Sequence, residues 1–326
     1  MLATTIFAVS TLLASAASYE THDGYDFEVR FDADAGPQDS PIKDMYEGAA
    51  ASIALQNLYA HINETELGQD CVATSVGEDD IGTLNALKDC INGEDPALFF
   101  KLFVMDIIDA NIFWDNVTAQ SDHDRTTWVP ARTYVKCYFN GSLDATQFAV
   151  WTQSDAADDA NLHANPEHYY KKTESTSLTS QRSEILEGWG GVSSSFGMKR
   201  TNFTVPEYTI PTFGTADYPA SWALDAKFAL PLQRIGPKVL TSGTQVTFGV
   251  LHIAVRDFAD EGGPGSGIEI YSAVWYPAWD GAPAGNETEF KEFFLMDEAY
   301  HMVVEIINLT LQAQKDCQSG LCVAPS

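Results

Sequence analysis

Residues 244–276 read TQVTFGVLHIAVRDFADEGGPGSGIEIYSAVWY, and this stretch decides the fold. Two runs rich in β-branched and aromatic residues flank a Gly-rich acidic turn, which predicts a β-hairpin. In the first run, the alternating positions on both faces are largely apolar. Because a strand that is apolar on both faces needs cover on each side, the hairpin is expected to lie inside a layered sheet.

Four polar side chains interrupt this apolar hairpin: His252 and Arg256 on the first strand, Glu269 and Tyr271 on the second. A register counted from the turn places Arg256 opposite Glu269 and His252 opposite Ala273. One interpretation is a cross-strand ion pair with one structural histidine. The other is a catalytic cluster of all four residues in an apolar cup, in which His252 acts as a general base or Glu269 as an acid whose pKa is raised by burial.

The rest of the chain places helices on either side of a strand-rich middle. Apolar periodicity and capping residues predict helices over 41–62, 97–114 and 288–315. Strand patterns follow residue 127, including a hairpin around Asn140-Gly141 whose second strand is 147–152. This order predicts an α+β fold: a curved antiparallel sheet with N-terminal helices and a long C-terminal helix packed on it. The order of elements is similar to that of helix-grip ligand-binding domains.

The predicted domain organisation is simple. Residues 1–17 are expected to be a signal peptide, 18–40 a polar N-terminal segment, and 41–326 a single α+β domain. The acidic segment 153–166 is predicted to be an exposed loop, where a sub-boundary is allowed.

Several features predict a secreted glycoprotein. The N-terminus is an apolar run that ends in Ala14-Ser15-Ala16, which is typical of a cleavable secretory signal. Six N-x-S/T sequons follow, and such sites are glycosylated only on the secretory route. The candidate glycosylation sites are Asn63, Asn116, Asn140, Asn202, Asn286 and Asn308. The expected location is therefore extracellular.

The five cysteines fit an oxidising compartment. Their spacing predicts disulfide bonds between Cys71 and Cys90 and between Cys317 and Cys322. Cys137 is then left over inside a strand-like run, where a buried and inert thiol is expected. An intermolecular bond or a different pairing are the alternatives.

The net charge of the chain argues against two classes of binding partner. With 18 basic and 46 acidic residues, the formal net charge is -28. A surface of this sign repels nucleic acid phosphates and anionic membranes, so neither is expected as a partner. The oligomeric state does not follow from the composition.

Two other groups of histidines and carboxylates invite a metal interpretation. The segment 163–168 contains His, Glu and His, but their spacing differs from the helical zinc motifs and a proline intervenes. On the C-terminal helix, Asp297, His301 and Glu305 share one face with the Asn308 sequon, and a glycan there would place that face in water. No metal site and no cofactor are therefore expected.

Three functions remain open from the sequence. The first is binding of a small apolar or amphipathic ligand in a cup between the sheet and a helix. The second is an extracellular hydrolase, lyase or isomerase that uses the His/Glu/Tyr cluster of the hairpin. The third is a secreted interaction protein without enzymatic activity.

Overall fold

The computed structural model describes most of the chain and places it in one layered α+β arrangement. The described residues are 20–31, 41–62, 66–121, 124–177, 180–189, 192–201, 212–225, 232–260, 265–278 and 294–322. The predicted signal peptide and the sequons at Asn63, Asn202 and Asn286 lie outside them. No described helix is long and apolar enough to cross a membrane.

A nine-stranded antiparallel sheet forms the centre of the described structure. With strands numbered along the chain, its order is β1-β2-β3-β9-β8-β7-β6-β5-β4. The last strand, β9, therefore pairs with β3 inside the sheet, and β4 lies at the edge opposite β1. The strands are β1 (Glu20–His22), β2 (Tyr25–Arg30), β3 (Val129–Tyr138), β4 (His168–Ser177), β5 (Ser180–Trp189), β6 (Val192–Thr201), β7 (Leu232–Leu240), β8 (Thr247–Ala259) and β9 (Ser266–Tyr276).

Helices occupy three positions in the described chain. The helices between β2 and β3 are α1 (Ile42–Ile62), α2 (Glu66–Thr74), α3 (Asp80–Glu94), α4 (Leu98–Leu102) and α5 (Val104–Gln120). Between β3 and β4 lie α6 (Ala145–Trp151) and α7 (Asp155–Ala164), and after β9 comes the long helix α8 (Leu295–Gln318). The predicted fold class is thereby confirmed, with N-terminal helices and a long C-terminal helix on an antiparallel sheet.

The predicted hairpin of residues 244–276 is formed by β8 and β9, and both strands lie inside the sheet. Its predicted register is confirmed, because Arg256 pairs with Glu269 and His252 with Ala273. One face of the hairpin packs under α8, where Val255 joins a core with Ile307. The other face is covered by the segment 212–225. Both faces are therefore covered, as the apolar pattern predicts.

Two segments differ from their predictions. Residues 147–152 do not form a strand but belong mostly to helix α6, which Asp144 and Gln147 begin with a reciprocal capping box. The Asn140-Gly141 turn is present, with positive φ at both residues. The segment 153–166 is not an exposed loop, because α7 lies within it, capped by Ser154. In both cases a local cap outweighed the turn and acidic composition on which the prediction rested.

The cysteine predictions are confirmed. Cys71 and Cys90 form a disulfide bond that joins α2 to α3. Cys317 in the last turn of α8 and Cys322 beyond its end form the second disulfide bond. Cys137 is buried without a disulfide partner, and burial raises the pKa of its thiol to about 12. A thiol that stays protonated is a poor nucleophile, which agrees with an inert residue.

Candidate functional site

The hairpin residues proposed from the sequence do not converge on one site. His252 is fully buried on the sheet face turned away from α8, with Phe213 and Tyr271 against its ring. Its Nε2 lies 3.0 Å from Gln233 Oε1, and within the described structure its Nδ1 has no hydrogen-bond partner. Burial lowers the pKa of His252 to about 4, so the ring is neutral at neutral pH.

Arg256 and Glu269 form a separate cross-strand ion pair. Arg256 Nε donates to Glu269 Oε2 at 2.7 Å, and the Glu269 side chain is 8% exposed whereas that of Arg256 is 31% exposed. Four residues along a strand span about 13 Å, so the pair lies beyond the reach of His252. The geometry matches the structural interpretation, while a catalytic role for these four residues stays a prediction.

Replacing Glu269 by Ala should lower the free energy of unfolding by about 1–2 kcal/mol. The effect stays moderate because the half-buried Arg256 guanidinium can turn toward water once its partner is lost. Urea unfolding of Glu269→Ala checks this, with the exposed Glu174→Ala as the control. A change within error of zero would show that the ion pair adds nothing to stability.

A second group of polar residues lies between α8 and the sheet, and here it is called the His–Glu cluster. Its members are Glu167, His168, Glu187, Lys238, Glu298, His301 and Glu305. They come from β4 and the residue before it, from β5 and β7, and from three turns of α8. Most of them are buried, including both histidines, which are 2% exposed.

The position of His301 corrects the prediction that this face of α8 is in water. This face packs against α1 and α7. The hydrogen bonds of the Asn308 amide show that the contact is close. Asn308 Nδ2 donates to Glu47 Oε1 at 2.6 Å and to the Ala164 carbonyl at 2.9 Å. A glycan on Nδ2 would leave one N–H there, so at least one of these hydrogen bonds would be lost. By contrast, Asn116 and Asn140 are exposed.

The two histidines of the cluster face each other. His168 Nε2 lies 3.0 Å from His301 Nε2. On the far side of each ring, Nδ1 has an acceptor: the Asn161 carbonyl at 2.9 Å from His168, and Glu167 Oε2 at 3.0 Å from His301. Both rings are thus held by their Nδ1 atoms, and both Nε2 atoms are directed into the cluster.

An acidic and basic pair adjoins the histidines. Lys238 Nζ donates to Glu187 Oε1 at 2.6 Å and lies 3.9 Å from Glu298 Oε1. Tyr276 donates its hydroxyl to Glu298 at 2.9 Å. Burial acts to raise the pKa of both carboxyl groups, but the Lys238 ammonium holds that of Glu187 at about 2, while that of Glu298 rises to about 7.

The pKa values of the two imidazoles are shifted in opposite directions. Burial lowers the pKa of His168 to about 4. Burial also acts to lower the pKa of His301, but its hydrogen bond to Glu167 and the nearby carboxylates of Glu298 and Glu187 raise it to about 9. Chemically, such a pair can share a proton between the two Nε2 atoms or place both of them on one cation.

A groove of about 410 Å³ lies between α1, α5 and the strands β4 to β6. Apolar parts of its wall come from Ile53, Ala110, Phe113 and Tyr169. Its polar parts are mainly acidic and comprise Asn57, His61, Asp106, Asp109, Glu167 and Ser193. The volume falls within the range of small-molecule sites, and the wall combines apolar surface with a few carboxylates.

Glu167 connects the groove to the His–Glu cluster. Its carboxylate lines the groove, and its Oε2 accepts hydrogen bonds from Tyr46 at 3.0 Å and from His301. Among the described residues, no donor reaches its Oε1. Burial raises the pKa of Glu167, and the donors from His301 and Tyr46 oppose that rise. In the groove, Glu167 Oε1 is therefore a carboxylate oxygen that receives no hydrogen bond from a described residue.

Sequence reasoning identified parts of this site but not their meeting. Glu167 and His168 belong to the rejected 163–168 segment, and His301 and Glu305 to the rejected face of α8. His163 stays outside the cluster, where its Nε2 lies 2.7 Å from Asp89 on the surface. At the groove, Asp106 Oδ2 lies 2.8 Å from His61 Nε2. The signal that could have found the site was the shared His and Glu content of two distant segments.

Comparisons with known proteins leave the function open. No protein-family model matches the sequence, and no curated protein matches it significantly. Among solved structures, the chain is similar to the di-domain ARO/CYC StfQ from the steffimycin biosynthetic pathway, with a TM-score of 0.33, 9% identity and 74% of this chain covered. It is also similar to the di-domain ARO/CYC BexL from the BE-7585A biosynthetic pathway, with a TM-score of 0.30, 15% identity and 58% covered. The chain spans 60% and 50% of the length of these two proteins, and likenesses this small carry no argument about function.

Proposed function

We propose that this protein binds a small amphipathic ligand in the groove, with a cationic or hydrogen-bond-donating head group on Glu167. The observation that carries the proposal is Glu167 itself. It lines the groove, its Oε2 accepts hydrogen bonds from two donors, and no described residue donates to its Oε1. A carboxylate oxygen that no protein group uses can accept a charge-assisted hydrogen bond from a ligand N–H.

The rest of the groove fits the same ligand class. Asp106 and Asp109 add negative charge, and none of the described residues that line the groove is a lysine or an arginine. Phe113 and Tyr169 offer aromatic surface for an apolar body. Ile53 is 39% exposed at the groove, so apolar surface continues outward from it. These charges disfavour a fatty acid or another anion and favour an amine of similar length.

Octylammonium is a suitable probe, with octanoate as its charge-reversed match. Isothermal titration calorimetry should give a dissociation constant on the order of 0.1–1 mM for octylammonium, as expected for a ligand of nine non-hydrogen atoms. Octanoate should bind at least tenfold more weakly. Glu167→Gln keeps the shape of the side chain but removes its charge, so it should also weaken octylammonium at least tenfold.

Two further variants make the test specific. Asn57 lines the groove and is exposed, so Asn57→Trp should block binding by filling the groove without disturbing the core. Glu174→Gln removes an exposed carboxylate from the same strand region and should leave binding unchanged. Equal binding of octylammonium and octanoate, or full binding by Asn57→Trp, would contradict a site in this groove.

We further propose that the chain is a secreted glycoprotein. The apolar N-terminus, the exposed sequons at Asn116 and Asn140 and the two disulfide bonds support this location. Expression of the full chain in a eukaryotic secretory line should release it into the medium with a mass that falls on treatment with a glycosidase. Retention in the cell without a mass change would contradict the proposal.

A further inference from the structure

The two histidines of the His–Glu cluster point their Nε2 atoms at each other. The Asn161 carbonyl can only accept, so His168 carries its proton on Nδ1. Glu167 Oε2 accepts a hydrogen bond from Tyr46 and also one from the Nδ1–H group of His301. The two Nε2 atoms lie 3.0 Å apart, and because the pKa of His301 is raised, its Nε2 proton can lie between them. Two lone pairs at this distance repel unless a proton or a cation lies between them.

We propose that the His–Glu cluster binds one divalent first-row transition-metal ion through His168 Nε2, His301 Nε2 and the Glu305 carboxylate. Ligand atoms of these three residues all lie within 4.8 Å of one another. Bonds of about 2.0–2.1 Å from one ion to both Nε2 atoms would make an angle of roughly 90–95° at the metal. Two imidazoles and one carboxylate are a common ligand set for zinc and for iron or cobalt in the divalent state.

The neighbours of these ligands are those that metal sites use. Histidine ligands usually donate their second N–H to a carbonyl or a carboxylate, and here His168 does the first and His301 the second. Asn161 holds two ligands at once, because its carbonyl accepts from His168 while its Nδ2 donates to Glu305 Oε1 at 2.6 Å. The ligands are thus oriented before any ion arrives.

The charge of the cluster also favours a cation. Four carboxyl groups belong to it, from Glu167, Glu187, Glu298 and Glu305, against the ammonium group of Lys238 and the imidazolium of His301. In the described structure, the Oε2 atom of Glu298 is buried without a hydrogen-bond partner. Buried negative charge is costly when it is not compensated, and a divalent ion would compensate it. The alternative is a single proton shared between His168 and His301, and the experiment separates the two.

The test uses the full folded chain after removal of metals with a chelator and dialysis. Titration with Zn²⁺ in a calorimeter should show one ion per chain with a dissociation constant on the order of 1 µM or tighter. Titration with Co²⁺ should produce visible absorption bands that report nitrogen and oxygen ligands. His301→Gln and Glu305→Gln should each weaken Zn²⁺ at least 100-fold and remove the cobalt bands.

Control variants guard against surface binding and against unfolding. His163→Gln removes the exposed histidine next to Asp89 and should leave Zn²⁺ binding unchanged. Glu305→Gln keeps an acceptor for the Asn161 amide, so this variant decides the question should His301→Gln fail to fold. No 1:1 binding by the wild type, or equal Zn²⁺ binding by Glu305→Gln, would overturn the metal site and leave the shared proton. Glu305 does not line the groove, so this result is independent of octylammonium binding.

Discussion

Replacing Lys238 by Met should lower the free energy of unfolding by about 3–5 kcal/mol, the largest effect expected from a single substitution. Lys238 and Glu187 are both buried, and their charged groups lie 2.6 Å apart. Met keeps an apolar side chain of similar length but removes the ammonium, which also lies 4.5 Å from the centre of the Phe196 ring. Glu187 would then be a buried carboxylate without its ammonium partner, which must either remain charged at high cost or take up a proton.

Urea unfolding at pH 7 with a chelator present measures this loss without interference from metal ions. Lys172→Met, which removes an exposed lysine paired with Glu174, should change the stability by less than about 0.5 kcal/mol. The double variant Lys238→Met with Glu187→Gln removes both charges and should recover part of the lost stability. Wild-type stability for Lys238→Met alone would contradict a buried ion pair at this position.

The stability of the wild type should fall by about 3 kcal/mol more than that of His252→Gln between pH 7 and pH 4. Burial lowers the pKa of His252 from its ordinary value of 6.5 to about 4. Between these two values the unfolded chain binds a proton that the folded chain excludes. Stability therefore decreases as the pH falls through this window and is unaffected by His252 above it, and the pKa difference corresponds to about 3 kcal/mol.

Comparing wild type with variant isolates this one histidine, because the many carboxylates of the chain titrate in both proteins. His252→Gln is expected to be somewhat less stable at pH 7, since it replaces a packed ring between Phe213 and Tyr271. The informative quantity is the change of that difference with pH, measured by urea unfolding. Parallel pH curves would mean that the folded protein protonates His252 as easily as the unfolded chain does.

The hairpin was the most predictable part of the fold. Alternation on both faces of β8 and the acidic Gly-rich turn predicted the register that pairs Arg256 with Glu269. The segments around α6 and α7 were less predictable, because short helices depend on single capping residues such as Asp144 and Ser154. Local composition in those segments favoured a strand and a loop, and packing against α8 decided otherwise.

The candidate site was only partly visible in the sequence, for a physical reason. His168 and His301 are 133 positions apart in the sequence. They meet because α8 packs on the sheet to which β4 belongs. The prediction for α8 rested on a glycan at Asn308 that would hold its polar face in water. The described structure instead buries that face against α1 and α7, where its polar residues find each other as partners.

One titration distinguishes a binding site in the groove from a binding site at the hairpin. Octylammonium is titrated into the wild type, Glu167→Gln and His252→Gln under identical conditions. Binding should be weakened at least tenfold in Glu167→Gln and retained in His252→Gln, because His252 lies on the other face of the sheet. Loss of binding in His252→Gln with full binding in Glu167→Gln would contradict the groove and return the site to the hairpin.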